Sequence, residues 1–122
     1  ILASNTDLKA DDPALADLRK LTTDGVIRRR AVFERGGIRF GIFGVLGKEA
    51  VFYTTGGAAT FADAIETARE MVKVLREVEN VDVVIALSHG GLEKGADGRQ
   101  SSSTAARPWS RPARRARILV NW

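Results

Sequence analysis

The chain has no cysteine, a single histidine, a single methionine, three prolines and two tryptophans in 122 residues. The missing thiols exclude disulfides and thiolate metal sites, and they leave the compartment open. With one imidazole, any histidine-based metal site takes at most one such ligand from this sequence. There is no run of about 18 apolar residues, so no membrane-spanning helix is expected. Hydrophobic residues make up 44% and charged residues 28%, an ordinary globular composition for one compact domain. The sequence opens on an apolar run, Ile1-Leu2-Ala3, with no initiator Met. Upstream sequence, including any targeting segment, is therefore expected.

The formal charge of +4 is unevenly placed. Residues 1–98 hold 13 Lys/Arg against 15 Asp/Glu, whereas residues 99–122 hold six arginines and no acid. The body is thus not a basic nucleic-acid surface, and only the tail could be one.

Pattern along the chain points to an α/β fold. Ile1-Leu2-Ala3 reads as the end of a buried strand. Asp12-Pro13 predicts a capped helix from Pro13 to about Leu21. Val26–Glu34 and Ile38–Val45 predict a hairpin around Gly36-Gly37, a pair able to take positive φ. Arg28, Arg29 and Arg30 read as a solvated part of the outer strand, and Gly47–Thr60 as a loop. Asp63–Val78 predicts the main helix, with Asp63 and Glu66 spaced as a capping box. Its apolar stripe is Ile65, Ala68, Met71, Val72, Leu75 and Val78. Val81–Leu87 is a β-branched run of the kind that parallel strands buried on both faces require. Strand, helix and strand in this order indicate an α/β sandwich.

After Gly98 the periodicity stops. Residues 99–122 are an Arg/Ser/Pro-rich tail, read as disordered or as the product of a shifted reading frame, with a real basic tail as the alternative. Residues 1–98 form the expected domain.

The chemistry concentrates at Leu87-Ser88-His89-Gly90-Gly91. Open α/β sheets place ligands beyond the carboxyl ends of their strands, where diverging loops leave a crevice. His89 occupies that position, and a neutral imidazole suits Zn²⁺ and similar divalent ions. A half-buried histidine bonded to a carbonyl is the other reading of the same position. The spacing Gly41-x-x-Gly44-x-x-Gly47-Lys48 is not that of a phosphate loop, and Glu49 stands where a hydroxyl is required. Asp7, Asp11 and Asp12 read as a solvated acidic loop, and Glu93, Asp97 and Gly98 as an exposed turn. Ser88 directly precedes His89, so no Ser-His-Asp triad can be built.

In order, four segments resemble the bacterial 5'-nucleotidase branch of the calcineurin-like metallophosphoesterases. They are Ile1-Leu2-Ala3-Ser4-Asn5, the hairpin Val32–Gly44, the helix start Phe61–Ala68 with Ala64 where that family has Pro, and Val83–Gly91 with its histidine loop. The resemblance covers about residues 1–98. It implies a piece of a metallophosphoesterase-type β-sandwich flanked by helices, hydrolysing nucleotide or other phosphate esters with two divalent ions of Zn or Mn type. It also implies a periplasmic, secreted or cell-surface location and makes His89 a metal ligand. The family's remaining ligands, in Asp-x-His, Gly-Asp, Gly-Asn-His-Glu and Gly-His-x-His segments, do not occur here, and Asn5 is not the metal-binding Asn. The piece is therefore expected to be inactive alone. The competing reading is a non-enzymatic α/β binding module whose basic tail contacts nucleic acid or acidic surfaces, with Trp109 and Trp122 as stacking groups.

Overall fold

The computed structural model describes residues 1–8, 11–54, 57–90, 92–94, 100–102 and 118–121. The fold is mixed α/β. In chain order the elements are β1 (Thr6–Asp7), a 3₁₀ turn (Pro13–Leu15), α1 (Ala16–Thr23), β2 (Arg30–Arg35), β3 (Ile38–Leu46) and α2 (Lys48–Phe52). There follow β4 (Thr60–Phe61), α3 (Ala64–Lys73), a π-helical turn (Val74–Val78), β5 (Val83–His89), β6 (Leu92–Lys94), β7 (Gln100–Ser102) and β8 (Ile118–Asn121).

One four-stranded sheet, in the order β2-β3-β5-β8, organises the molecule, and β1-β4 and β6-β7 form small two-stranded pairs. β2 and β3 are the antiparallel hairpin, turning through Gly36 (φ 60°) and Gly37 (φ 73°), a left-handed pair that side chains would strain. β5 lies parallel to β3, and β8 parallel to β5, so three strands end at the same edge. The antiparallel edge strand extends a parallel core whose crossover carries α3.

That helix starts where Asp63 accepts hydrogen bonds from the N–H groups of Ile65 and Glu66, both 2.9 Å. Only half of the capping box forms, because the Glu66 carboxylate turns to Arg69. Met71 and Leu75 are buried and pack with Phe43, Val45, Val81 and Val84 in the hydrophobic core. Each such side chain contributes roughly 1.5–3 kcal/mol by leaving water. Gly41 permits this seating, since a Cβ there would meet the Leu75 side chain at 2.7 Å.

Several expectations need correction. Val78 leaves the apolar stripe and is 68% exposed, because the π-helical turn changes the angular step between residues. β5 is not buried on both faces. Val84 packs on the core while Leu87 is 42% exposed, because α3 covers only one side of the sheet. The expected loop after Gly47 contains the short helix α2, too brief to leave a periodic signal. Ile1-Leu2-Ala3 makes a single bridge, Leu2 to Arg28, and Ile1 is exposed. The helix after Pro13 begins as a 3₁₀ turn capped by Asp12, whose carboxylate accepts from the Ala14 N–H at 2.8 Å.

The expectation of a separate tail bears mainly on positions outside the described residues. Within 99–122 the described parts are β7 and β8. No helix among the described residues is long and apolar enough to cross a membrane.

Candidate functional site

The carboxyl edge of the parallel strands brings Leu46, the last residue of β3, beside His89, the last of β5. Two uncharged residues, Gly47 and Asn5, fix this edge. The Gly47 N–H donates to the His89 carbonyl at 2.9 Å. Buried Asn5 donates through Nδ2 to the carbonyls of Leu46 (2.9 Å) and Ala62 (3.0 Å), and its Oδ1 accepts from the Leu46 N–H (3.0 Å). Its own carbonyl accepts from the Ala62 N–H at 2.8 Å. Asn5 thus joins the end of β3 to the segment entering α3, with its side-chain bonds among the described residues made to backbone. Buried Ser4 does similar work one step back, donating to the Arg29 carbonyl and accepting from the Gly44 N–H.

His89 is exposed at this edge, on the sheet face opposite the core. Strand alternation puts Val83, Ile85, Leu87 and His89 on one face and Val84, Ala86 and Ser88 on the other. The histidine is therefore not a packed core residue, and Gly90 behind it is buried. Gly91, which follows it, lies outside the described residues. Among the described residues no group of three or more His, Cys, Asp or Glu could hold a metal ion. A catalytic metal needs about three protein ligands. The described residues therefore supply one candidate donor and do not by themselves fit a metal centre.

A cleft of about 300 Å³ opens beside the same edge, lined in part by Leu46, Gly47, Lys48, Phe61, Asp63 and Ile65. Asp63 faces it but is committed to capping α3. α2 ends at Phe52 and is followed by Tyr53, both exposed and packed edge to face.

The other residues marked in the sequence resolve into structural roles. Gly41, Gly44 and Gly47 do not surround a phosphate. A Cβ on them would meet Leu75, Leu2 and Gly90 respectively, so each serves close packing. Asp12 is a cap, and Asp11 is exposed. The run Arg28–Arg30 is bound to the body: Arg28 to the Gly25 carbonyl, Arg29 in a two-pronged pair with Glu70 (3.0 and 2.9 Å), Arg30 with Glu79. The hydrogen bonds from Arg29 hold the Glu70 carboxyl below its ordinary value, against an opposing effect of burial and with added attraction from the charges of Arg29 and Arg30. This part of the surface presents paired charge, not a basic patch. The arginines of 99–122 lie outside the described residues.

Sequence reasoning missed the parts played by Asn5 and Gly47. A polar Ser-Asn pair after an apolar run, and a Gly directly after a strand, were the available signals.

No family model matches the chain. It is similar to an apyrase of Tabanus yao, 40% identical over 76 residues, covering 62% of this chain and 14% of that protein. It is also similar to Protein 5NUC of Lutzomyia longipalpis, 27% identical over 94 residues, covering 77% of this chain and 15% of that protein. The chain thus spans about one-seventh of the length of these relatives. The two similarities support a 5'-nucleotidase-like relationship.

Proposed function

We propose that this chain is part of the catalytic domain of a metal-dependent phosphoesterase that hydrolyses nucleotide phosphate esters, with His89 as one ligand of its metal site. The observation that carries the reading is the exposed imidazole at the carboxyl edge of a parallel sheet, the edge where open α/β folds bind ligands. The similarity to proteins named apyrase and 5NUC supports the substrate class. The order of the four sequence segments supports the finer placement in the calcineurin-like metallophosphoesterases, and with it a location outside the cytoplasm.

The cofactor of this reading is a pair of divalent ions of Zn or Mn type, which would neutralise phosphate charge and lower the pKa of a bound water. The role of the described residues is to hold one exposed donor at a fixed place: β5 carries it to the edge, and Gly47 and Asn5 keep the edge in register. Ser88 alternates to the core face and takes no part in the chemistry. The 122-residue chain alone should release no phosphate from nucleoside monophosphates, with Mn²⁺ or Zn²⁺, above a metal-only control. Turnover that disappears in His89→Ala would overturn the view that its ligand set is incomplete.

A further inference from the structure

We infer that Gly47 is a positioning residue for His89, through a backbone-on-backbone seat between the chain leaving β3 and the chain leaving β5. Its functional meaning rests on the metal-ligand reading above, while its geometry stands independently.

A Cβ at Gly47 would lie 2.5 Å from the Gly90 Cα, 3.4 Å from the His89 carbonyl oxygen and 3.5 Å from the Gly90 N. The first contact falls roughly an ångström short of ordinary van der Waals distance, which begins at 3.4 Å. All three atoms are backbone, so no side-chain rotation relieves the clash. The φ of Gly47 is −76°, open to any residue, so the demand at this position is for space and not for unusual backbone. Gly47 and Gly90 are both buried. The N–H of Gly47 meanwhile holds the His89 carbonyl at 2.9 Å. One residue thus sets the distance between the two chains and also bonds them.

Asn5 holds the β3 side of this seat. It binds both the N–H and the carbonyl of Leu46 and links them to Ala62, so the β3 side is anchored. An added methyl at Gly47 would therefore press on the backbone of His89 and Gly90, the atoms it would meet. A misplacement of about 1 Å in a reacting constellation can cost ~10²-fold in rate. Gly41 provides the contrast. Its close neighbours are the Cδ atoms and Cγ of Leu75, a side chain in the core, so a methyl there loosens packing without reaching the carboxyl edge.

The single histidine makes the test direct. In the isotope-labelled 122-residue chain, the His89 ring resonances are recorded at one pH for wild type, Gly47→Ala and Gly41→Ala. The expected result is that Gly41→Ala lowers the unfolding midpoint and leaves the ring resonances in place, while Gly47→Ala moves them. Unmoved ring resonances in folded Gly47→Ala would overturn the inference, and so would an equal shift in Gly41→Ala. If Gly47→Ala does not fold, amide exchange of the wild type decides. The Gly47 N–H should be protected to the degree of the β5 amides, and exchange at open-loop rates would refute the seat. No arm uses metal, so a failure of the metal reading in the full-length protein remains separate from a failure here.

Discussion

The two ends of the sheet are held by different chemistry. At the amino end of β5, charged side chains make the ties: the Asp82 carboxylate accepts from the Arg39 backbone N–H at 2.9 Å, and the Arg39 guanidinium donates to the Glu79 backbone carbonyl at 3.1 Å. Arg30 donates twice to the Glu79 carboxylate, at 3.0 and 2.6 Å. At the carboxyl end the ties are neutral and largely backbone, made by Asn5 and Gly47, and the one ionisable group on β5 there, His89, faces solvent. The amino end spends its charged side chains on stability. The carboxyl end is made rigid without them, which leaves an imidazole available for a ligand.

The comparison breaks most readily at Asn5. Asn5→Ala removes three side-chain bonds and strands the N–H and carbonyl of Leu46 at a part-buried position. Each unsatisfied buried group costs about 1–3 kcal/mol, so a loss of roughly 3 kcal/mol is expected in urea unfolding. A loss below about 1 kcal/mol would mean that the carboxyl edge is not held as described.

A smaller effect is expected at the other end. Glu79→Gln should cost about 1 kcal/mol, since Arg30 and Glu79 are only partly shielded, with side chains 35% and 29% exposed. The cost should shrink at high salt, because screening weakens charge pairs and leaves the neutral bonds of Asn5 largely untouched. Equal salt dependence of the two variants would remove the distinction between the ends.

These two regions also mark what could be read from the sequence. The hairpin was legible because Gly36-Gly37 is a local demand for positive φ, and α3 because its apolar stripe and its Asp63 cap are local patterns. The place of His89 followed from a strand immediately preceding it. Asn5 and Gly47 were not legible in the same way. Their partners lie 41 to 57 residues away for Asn5, and for Gly47 at His89 and Gly90, so only the fold reveals them. The apolar run of β5 was over-read for a related reason. Such a run cannot say whether one face or both will be covered, and Phe33, Ile38 and Leu87 remain 43%, 44% and 42% exposed.

A smaller effect again is expected in the pH dependence of the Arg29–Glu70 pair. The folded carboxyl of Glu70 is shifted below its unfolded value, so the pair's stabilisation is present above the unfolded pKa and disappears as pH falls through the folded one. The pair is half exposed on each side, which limits it to below about 1 kcal/mol. Glu70→Gln should flatten the acid limb of stability against pH by that amount. An unchanged acid limb would mean that the pair adds nothing.

The most direct test of the division between the two ends is His89→Ala, measured for stability in the 122-residue chain and for metal-dependent phosphate release in a full-length protein carrying this segment. Unfolding free energy is expected to change by no more than about 0.5 kcal/mol, as for a surface substitution. Phosphate release is expected to fall by more than the ~10–100-fold that losing an outer partner of a metal ligand costs, with partial recovery at excess metal. A stable chain with undiminished phosphate release would contradict the assignment of His89 to a metal site.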